Sequence, residues 1–153
     1  KEILFQDERI KTFYVNQLDP KSVENMWEEI NENDFDIIID DGLHTLEAGL
    51  TFFLNSFEKL KEGGIYVIED LHTGSNQWPN LYDSSVIEEG DTITIDLMKD
   101  FENNDGSILE TKHISNEQMV GIRQKITDCK VLVGMDRYKN YQWATTLAFM
   151  DFK

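Results

Sequence analysis

Two short apolar runs, each ending abruptly in acidic residues, constrain the fold of this chain more than any other feature. The runs are residues 35–39 and 65–68, and the acids that follow them are Asp40, Asp41, Glu69 and Asp70. Apolar runs of this length without strict alternation are typical of parallel strands that are covered on both faces of a sheet. The segment between them is amphipathic with helical spacing, so the sequence predicts a βαβ unit.

The connecting helix is expected to begin just after His44 and to end before Gly63 and Gly64. Its predicted apolar stripe consists of Leu46, Leu50, Phe53, Leu54, Phe57 and Leu60. A glycine pair after a helix is typical of a turn, and because no strand precedes the pair in this prediction, it is not interpreted as a phosphate-binding loop.

The acidic residues after the two runs are candidate metal ligands. Parallel neighbours lie about 4.8 Å apart and end on the same edge of the sheet, where open α/β sheets bind their ligands. Asp41, Glu69 and Asp70 could therefore converge on one ion, and a cation would relieve their mutual repulsion. Mg²⁺ suits such hard oxygen ligands. The alternative is that these are solvated strand-end acids, in a chain in which 30 of 153 residues are acidic.

His44 lies three positions after Asp41, at the predicted turn from strand to helix. An imidazole titrates near neutral pH and can act as a general base. The alternative is a polar residue of the turn without a chemical role.

Composition limits the classes of partner. The net charge is −16, which argues against binding to nucleic acid or to anionic membranes. The sequence has no apolar run of transmembrane length and no signal-peptide pattern, and the single Cys129 cannot form an internal disulfide. These features predict one cytoplasmic domain that binds a small molecule, and they are compatible with a homo-oligomer.

The remaining segments extend the alternation of strands and helices. Residues 11–15 read as a strand, and Asp19 followed by Pro20 predicts the start of a helix. Ser115 and Gln118 form a capping-box pattern at the start of another helix. Two strand candidates at 130–135 and 143–149 predict an antiparallel hairpin. The order strand, helix, strand, helix, strand is that of a doubly wound parallel sheet.

A polar segment at 74–85 follows the second acidic pair and carries Trp78 and Tyr82. Connections of this length are uncommon unless they bind a ligand or are disordered. The segment is interpreted either as a lid over a substrate or as a surface connection.

The motifs from about Val15 to Thr73 resemble a known family. Asp19-Pro20, FDIIIDDGLH and KEGGIYVIEDLHT together resemble the second half of a class I S-adenosylmethionine-dependent methyltransferase. More narrowly, they are similar to the macrocin O-methyltransferase family, metal-dependent enzymes that methylate sugar hydroxyls. The resemblance implies that Asp41, Glu69 and Asp70 hold Mg²⁺ and that His44 is the base.

The resemblance also implies a Rossmann-like α/β sheet, mostly parallel, with the antiparallel hairpin at one edge. The family's glycine-rich first strand and turn would precede Lys1, so the chain is expected to be part of a longer protein whose N-terminal strands are not included. Gln17, Asp19 and Asp40 are the cofactor contacts that this part of the domain would supply.

The implied function is Mg²⁺-dependent methyl transfer from S-adenosylmethionine to a hydroxyl of a sugar or glycosylated small molecule. Two alternatives remain open at this point. The first is another class I methyltransferase that acts on a small molecule, and the second is a catalytically silent fragment or regulatory binding domain of the same fold.

Overall fold

The computed structural model of the chain describes residues 7–43, 45–69, 115–138 and 141–152, which form three helices and four strands. In chain order the elements are α1 (Pro20–Ile30), β1 (Phe35–Asp40), α2 (Leu46–Ser56), a 3₁₀ turn (Phe57–Lys59), β2 (Leu60–Ile68), α3 (Asn116–Lys125), β3 (Ile126–Tyr138) and β4 (Tyr141–Phe152).

The four strands form one sheet in the order β1-β2-β4-β3. β1 and β2 are parallel neighbours joined by α2, which confirms the predicted βαβ unit. β4 runs antiparallel to β2 and pairs along its length with β3, so the predicted hairpin lies at one edge of the sheet. Both hairpin strands are longer than the sequence pattern indicated.

α1 begins and ends where its local sequence predicts. The Asp19 side chain accepts a hydrogen bond from the Lys21 amide at the N-terminus, and Pro20 occupies the first turn. Asn31 closes the helix in the left-handed region with φ 51°, a conformation that asparagine tolerates better than most residues. Between these ends, Val23 and Trp27 are buried.

The core lies between the helices and one face of the sheet. Its buried members are Val23, Trp27, Ile38, Leu50, Phe53, Phe57, Tyr66, Ile68, Ile122 and Cys129. The Phe53 and Tyr66 rings pack edge to face with centroids 5.0 Å apart. The Trp27 indole nitrogen donates to the Ser56 hydroxyl at 3.0 Å, which satisfies both polar groups inside the core and ties α1 to α2.

Two expectations about the sheet are wrong. Residues 11–15 are irregular, because no strand in the described ranges lies alongside them to form a ladder. β1 is covered on one face only within the described ranges, since Ile37 and Ile39 are 54% and 55% exposed while Ile38 between them is buried. The apolar character of the run therefore does not by itself report burial on both faces.

The prediction that Gly63 and Gly64 end a helix is also wrong, because both glycines lie inside β2. Phe35 of β1 pairs with Leu60, whereas Ile37 pairs with Ile65, so β2 carries three extra residues between the two pairs. Gly63 has φ 74°, and a Cβ on Gly64 would lie 2.9 Å from the Lys61 carbonyl oxygen. The glycines thus absorb a bulge at the start of the parallel pairing.

α3 begins with the predicted capping box. The Ser115 hydroxyl accepts from the Gln118 amide at 3.3 Å, and the Gln118 side chain accepts from the Ser115 amide at 3.1 Å. Within the part of the chain that the structure describes, no helix is both long enough and apolar enough to cross a membrane.

Candidate functional site

The carboxyl ends of β1 and β2 lie side by side, as the sequence predicts. Asp40 is the register partner of Ile68, and the Glu69 amide donates to the Asp40 carbonyl at 2.9 Å beyond the last strand residue. Asp41 directly follows β1 and Glu69 directly follows β2, so the two residues lie at the same edge of the sheet. Asp41 is exposed and Glu69 is half-buried, so neither carboxylate carries the desolvation cost of a core charge.

Asp40 differs from its neighbours because it is buried, with 5% of its surface exposed. Its Oδ1 accepts a hydrogen bond from Nε2 of Gln17 at 2.6 Å. The Gln17 Oε1 in turn accepts from the Leu43 amide at 2.9 Å. One side-chain amide thus connects the buried end of β1 with the loop that follows it.

Gly42 allows this amide to approach the loop. A Cβ built on Gly42 would lie 2.1 Å from Oε1 of Gln17 and 2.7 Å from both its Cδ and its Nε2. These distances are far below van der Waals contact, so a side chain at this position and the amide cannot occupy their present places together. The requirement for glycine here is therefore one of space.

The turn that carries Gln17 is held by its own hydrogen bonds. The Asn16 amide donates to the Ser22 hydroxyl at 2.8 Å, and the Asn16 side chain accepts from the Leu18 amide at 3.2 Å. The Asp19 amide donates to the Asn16 carbonyl, and the Asp19 carboxylate caps α1. Asp19 thus has a structural role in addition to any role toward a ligand.

Tyr66 lies beneath this edge and was not predicted as part of the site. Its side chain is fully buried, and within the described residues its hydroxyl has no hydrogen-bond partner. Burial, together with the negative charge of Asp40, raises the pKa of the phenol well above its ordinary value of 10. A tyrosine within an apolar run gives no sequence signal of such an environment.

Several predicted site residues lie outside the described ranges, namely His44, Asp70, Trp78 and Tyr82. Within those ranges, no group of three or more His, Cys, Asp or Glu side chains is arranged to hold a metal ion. Of the predicted metal trio, the structure describes Asp41 and Glu69 and brings them to one edge. Two carboxylates on adjacent strand ends supply hard oxygen donors, and this donor chemistry fits Mg²⁺.

A pocket with a volume of about 500 Å³ lies between α1 and α2, away from the carboxyl ends of β1 and β2. It is lined by the carboxyl-terminal parts of these helices and by the residues just before β1, among them Glu28, Asn33 and Asn55. None of the predicted site residues lines it. It is therefore distinct from the edge that carries the acidic residues.

Curated relatives of the chain are O-methyltransferases by name. The chain is 38% identical over 74 residues to the 8-demethyl-8-alpha-L-rhamnosyl tetracenomycin-C 2'-O-methyltransferase of Streptomyces olivaceus, covering 48% of this chain and 18% of that protein. It is 35% identical over 94 residues to the demethylmacrocin O-methyltransferase of Streptomyces fradiae, covering 61% of this chain and 23% of that protein. The chain thus spans about a fifth of the length of these relatives. No protein-family model matches it.

Solved structures of the MycE methyltransferase of mycinamycin biosynthesis share the fold. A complex with Mg and S-adenosylhomocysteine superposes with a TM-score of 0.56 at 23% identity, covering 96% of this chain and 34% of MycE. A second complex, which also contains mycinamycin VI, gives the same TM-score at 24% identity. The chain therefore has part of a Rossmann-like methyltransferase fold, and its sequence is similar to those of the named O-methyltransferases.

Proposed function

We propose that the protein is an S-adenosylmethionine-dependent and Mg²⁺-dependent O-methyltransferase that acts on a hydroxyl of a sugar or glycosylated small molecule. The observation that carries this proposal is the parallel pairing of β1 with β2, which brings Asp41 and Glu69 to one sheet edge. The named activities of the curated relatives and the Mg and S-adenosylhomocysteine in the MycE complexes support it.

Asp41, Glu69 and Asp70 are the proposed ligands of the ion. Asp41 and Glu69 follow the ends of neighbouring strands, and the exposure of Asp41 leaves room for further oxygen ligands from water or substrate. Bound there, Mg²⁺ would lower the pKa of a substrate hydroxyl and fix its direction.

His44 is the proposed general base. A neutral imidazole there would take the hydroxyl proton while the oxygen bonds to the methyl carbon and the carbon–sulfur bond of the cofactor breaks. The products are the methyl ether and S-adenosylhomocysteine. Replacing His44 with alanine is expected to lower turnover by about 10² to 10⁴, the usual range for a positioned base, without weakening Mg²⁺ binding.

Gln17, Asp19 and Asp40 are the proposed contacts on the cofactor side of the same edge. Trp78 and Tyr82 are proposed to cover the acceptor as part of a lid. A glycoside is the proposed acceptor class, because one relative is named for a rhamnosyl tetracenomycin and one MycE complex contains mycinamycin VI.

Transfer of a labelled methyl group from S-adenosylmethionine to a panel of glycosides tests the proposal in the complete protein. The reaction is expected to stop with EDTA and to return with added Mg²⁺. Acceptors that lack the sugar are expected to remain unmethylated, and catechols in the panel test the alternative small-molecule class.

Three outcomes would contradict parts of the proposal. Transfer that persists in EDTA would remove the metal from the reaction. Transfer to catechols alone would replace the acceptor class. Tight cofactor binding without transfer to any acceptor would instead favour a silent binding domain.

A further inference from the structure

We propose that Gln17 is a positioning residue that holds the loop 41–43, and with it the metal ligand Asp41, in place for Mg²⁺. This inference rests on the proposed function. It concerns a side chain that reaches the site from the turn before α1, 24 residues before Asp41 in the sequence. Gln17 acts in this proposal through the loop and not as a ligand of the ion.

The two ends of the Gln17 amide have different partners that require their different chemistry. Nε2 donates to the buried carboxylate of Asp40 at 2.6 Å, and Oε1 accepts from the Leu43 amide at 2.9 Å. A donor must face the carboxylate and an acceptor must face the N–H group, and one amide supplies both. Asp41 lies between these two anchor points, so its backbone is fixed on either side.

The loop is shaped to fit this amide. The three heavy atoms nearest to a Cβ on Gly42 all belong to the Gln17 side chain, at 2.1 to 2.7 Å. The turn that carries Gln17 is braced by Asn16 and by the cap of α1, and α1 is tied to α2 through Trp27 and Ser56. Gln17 therefore connects a well-anchored helix with the loop after β1.

Removing the amide should loosen the loop and weaken the ion site together. In Gln17→Ala, exchange of the Leu43 amide proton with solvent is expected to be about 2- to 10-fold faster, which corresponds to the loss of one hydrogen bond. Mg²⁺ affinity is expected to fall by about 10- to 100-fold, as for other groups that orient metal ligands.

Gln17→Glu separates hydrogen bonding from packing. Glutamate keeps the length and volume of the side chain but replaces the donor with a second carboxylate facing Asp40. A positioning role predicts that this variant also binds Mg²⁺ more weakly than wild type. A role in packing alone predicts affinity equal to that of wild type, and this result would overturn the proposal.

Gly42→Ala changes the residue that faces the Gln17 amide, and it therefore allows a double-mutant test. The added methyl group must displace the amide, so this variant alone is expected to weaken Mg²⁺ binding. In the Gln17→Ala background the clashing atoms are gone, and the same substitution should cost much less. Additive effects would show that the two residues are not coupled and would contradict the proposal.

Amide exchange by NMR and calorimetric titration with Mg²⁺ alone measure these effects in the complete protein. Gln124→Ala, an exposed glutamine of α3, is the matched control and should leave both unchanged. Unchanged Leu43 exchange or unchanged Mg²⁺ affinity in Gln17→Ala overturns the inference. A wild-type protein that binds no Mg²⁺ would refute the proposed metal site and with it the role of Gln17 toward the ion, while Leu43 exchange would still report on the bridge.

Discussion

Gly64→Ala is expected to destabilise the protein because it adds a methyl group where two backbones meet. The new Cβ would lie 2.9 Å from the Lys61 carbonyl oxygen and 3.0 Å from that of Phe35. Real Cβ contacts are longer, so one of these segments must move by a few tenths of an ångström. Both belong to the start of the β1–β2 pairing, where the strands are held by their ladder.

The expected cost follows from overpacking at a site that cannot yield freely. Forcing a methyl group into a packed region costs about 1–3 kcal/mol. Alanine also reduces the freedom of the unfolded chain relative to glycine, which returns about 0.5–1 kcal/mol. Because the obstacles are backbone atoms on two sides, the net loss in the free energy of unfolding should reach about 1–2 kcal/mol.

Urea unfolding followed by circular dichroism measures this loss, and Gly121→Ala is the matched control. Gly121 lies in α3, and a Cβ there meets nothing within 4 Å. The control should therefore stabilise the protein by about 0.5–1 kcal/mol through helix propensity. Equal changes in the free energy of unfolding for the two substitutions would refute the conclusion that Gly64 lies in a crowded part of the β1–β2 pairing.

Three further substitutions test the packing of the core and of its margin. Ser56→Ala leaves the buried Trp27 N–H without its acceptor and should cost about 1–3 kcal/mol in urea unfolding, whereas an unchanged midpoint would contradict that bond. Burial raises the pKa of Tyr66, so the phenol loses its proton at lower pH in the unfolded chain than in the folded protein, and stability should fall as pH rises above 10. The melting temperature of Tyr66→Phe should therefore decline less steeply with pH than that of the wild type. Equal slopes of melting temperature against pH in the two proteins would contradict the burial of this phenol. Lys125→Ala removes a cation 5.0 Å from the centroid of the Phe57 ring. Because this lysine is exposed, the free energy of unfolding should fall by less than about 1 kcal/mol.

Local sequence signals predicted the elements that depend on local physics. The caps at Asp19 and Ser115 need only a side-chain oxygen near the first turn of a helix, so the sequence shows them directly. The two apolar runs with a helix between them determine a parallel pair, and the register that places Asp40 opposite Ile68 confirms it. The convergence of the two strand ends follows from that pairing.

Features that depend on distant partners were not predictable in the same way. Whether residues 11–15 form a strand depends on a neighbour to pair with, and β-propensity alone does not provide one. The bulge at Gly63 and Gly64 arises because Leu60 pairs with Phe35, and this contact overrides the helical pattern that extends to Leu60.

The bridge formed by Gln17 joins residues more than 20 positions apart, so no local pattern in the sequence predicted it. The resemblance implied that Gln17 and Asp40 contact the cofactor, and it did not predict that they contact each other. Asp41 and Glu69 were predicted as ligands because strand ends converge, and the structure describes both at the same edge. Their role toward Mg²⁺ remains the central proposal.

Calorimetric titration with Mg²⁺ of the wild type, Asp41→Asn and Asp34→Asn tests that proposal most directly. Asp34 is an exposed aspartate at the opposite end of β1, and its φ of 64° is one that asparagine also tolerates, so it controls for the loss of one surface charge. A metal site at this edge predicts that Asp41→Asn weakens Mg²⁺ binding by about tenfold or more while Asp34→Asn retains it. Equal Mg²⁺ affinity in all three proteins would contradict the assignment of this sheet edge as the metal site.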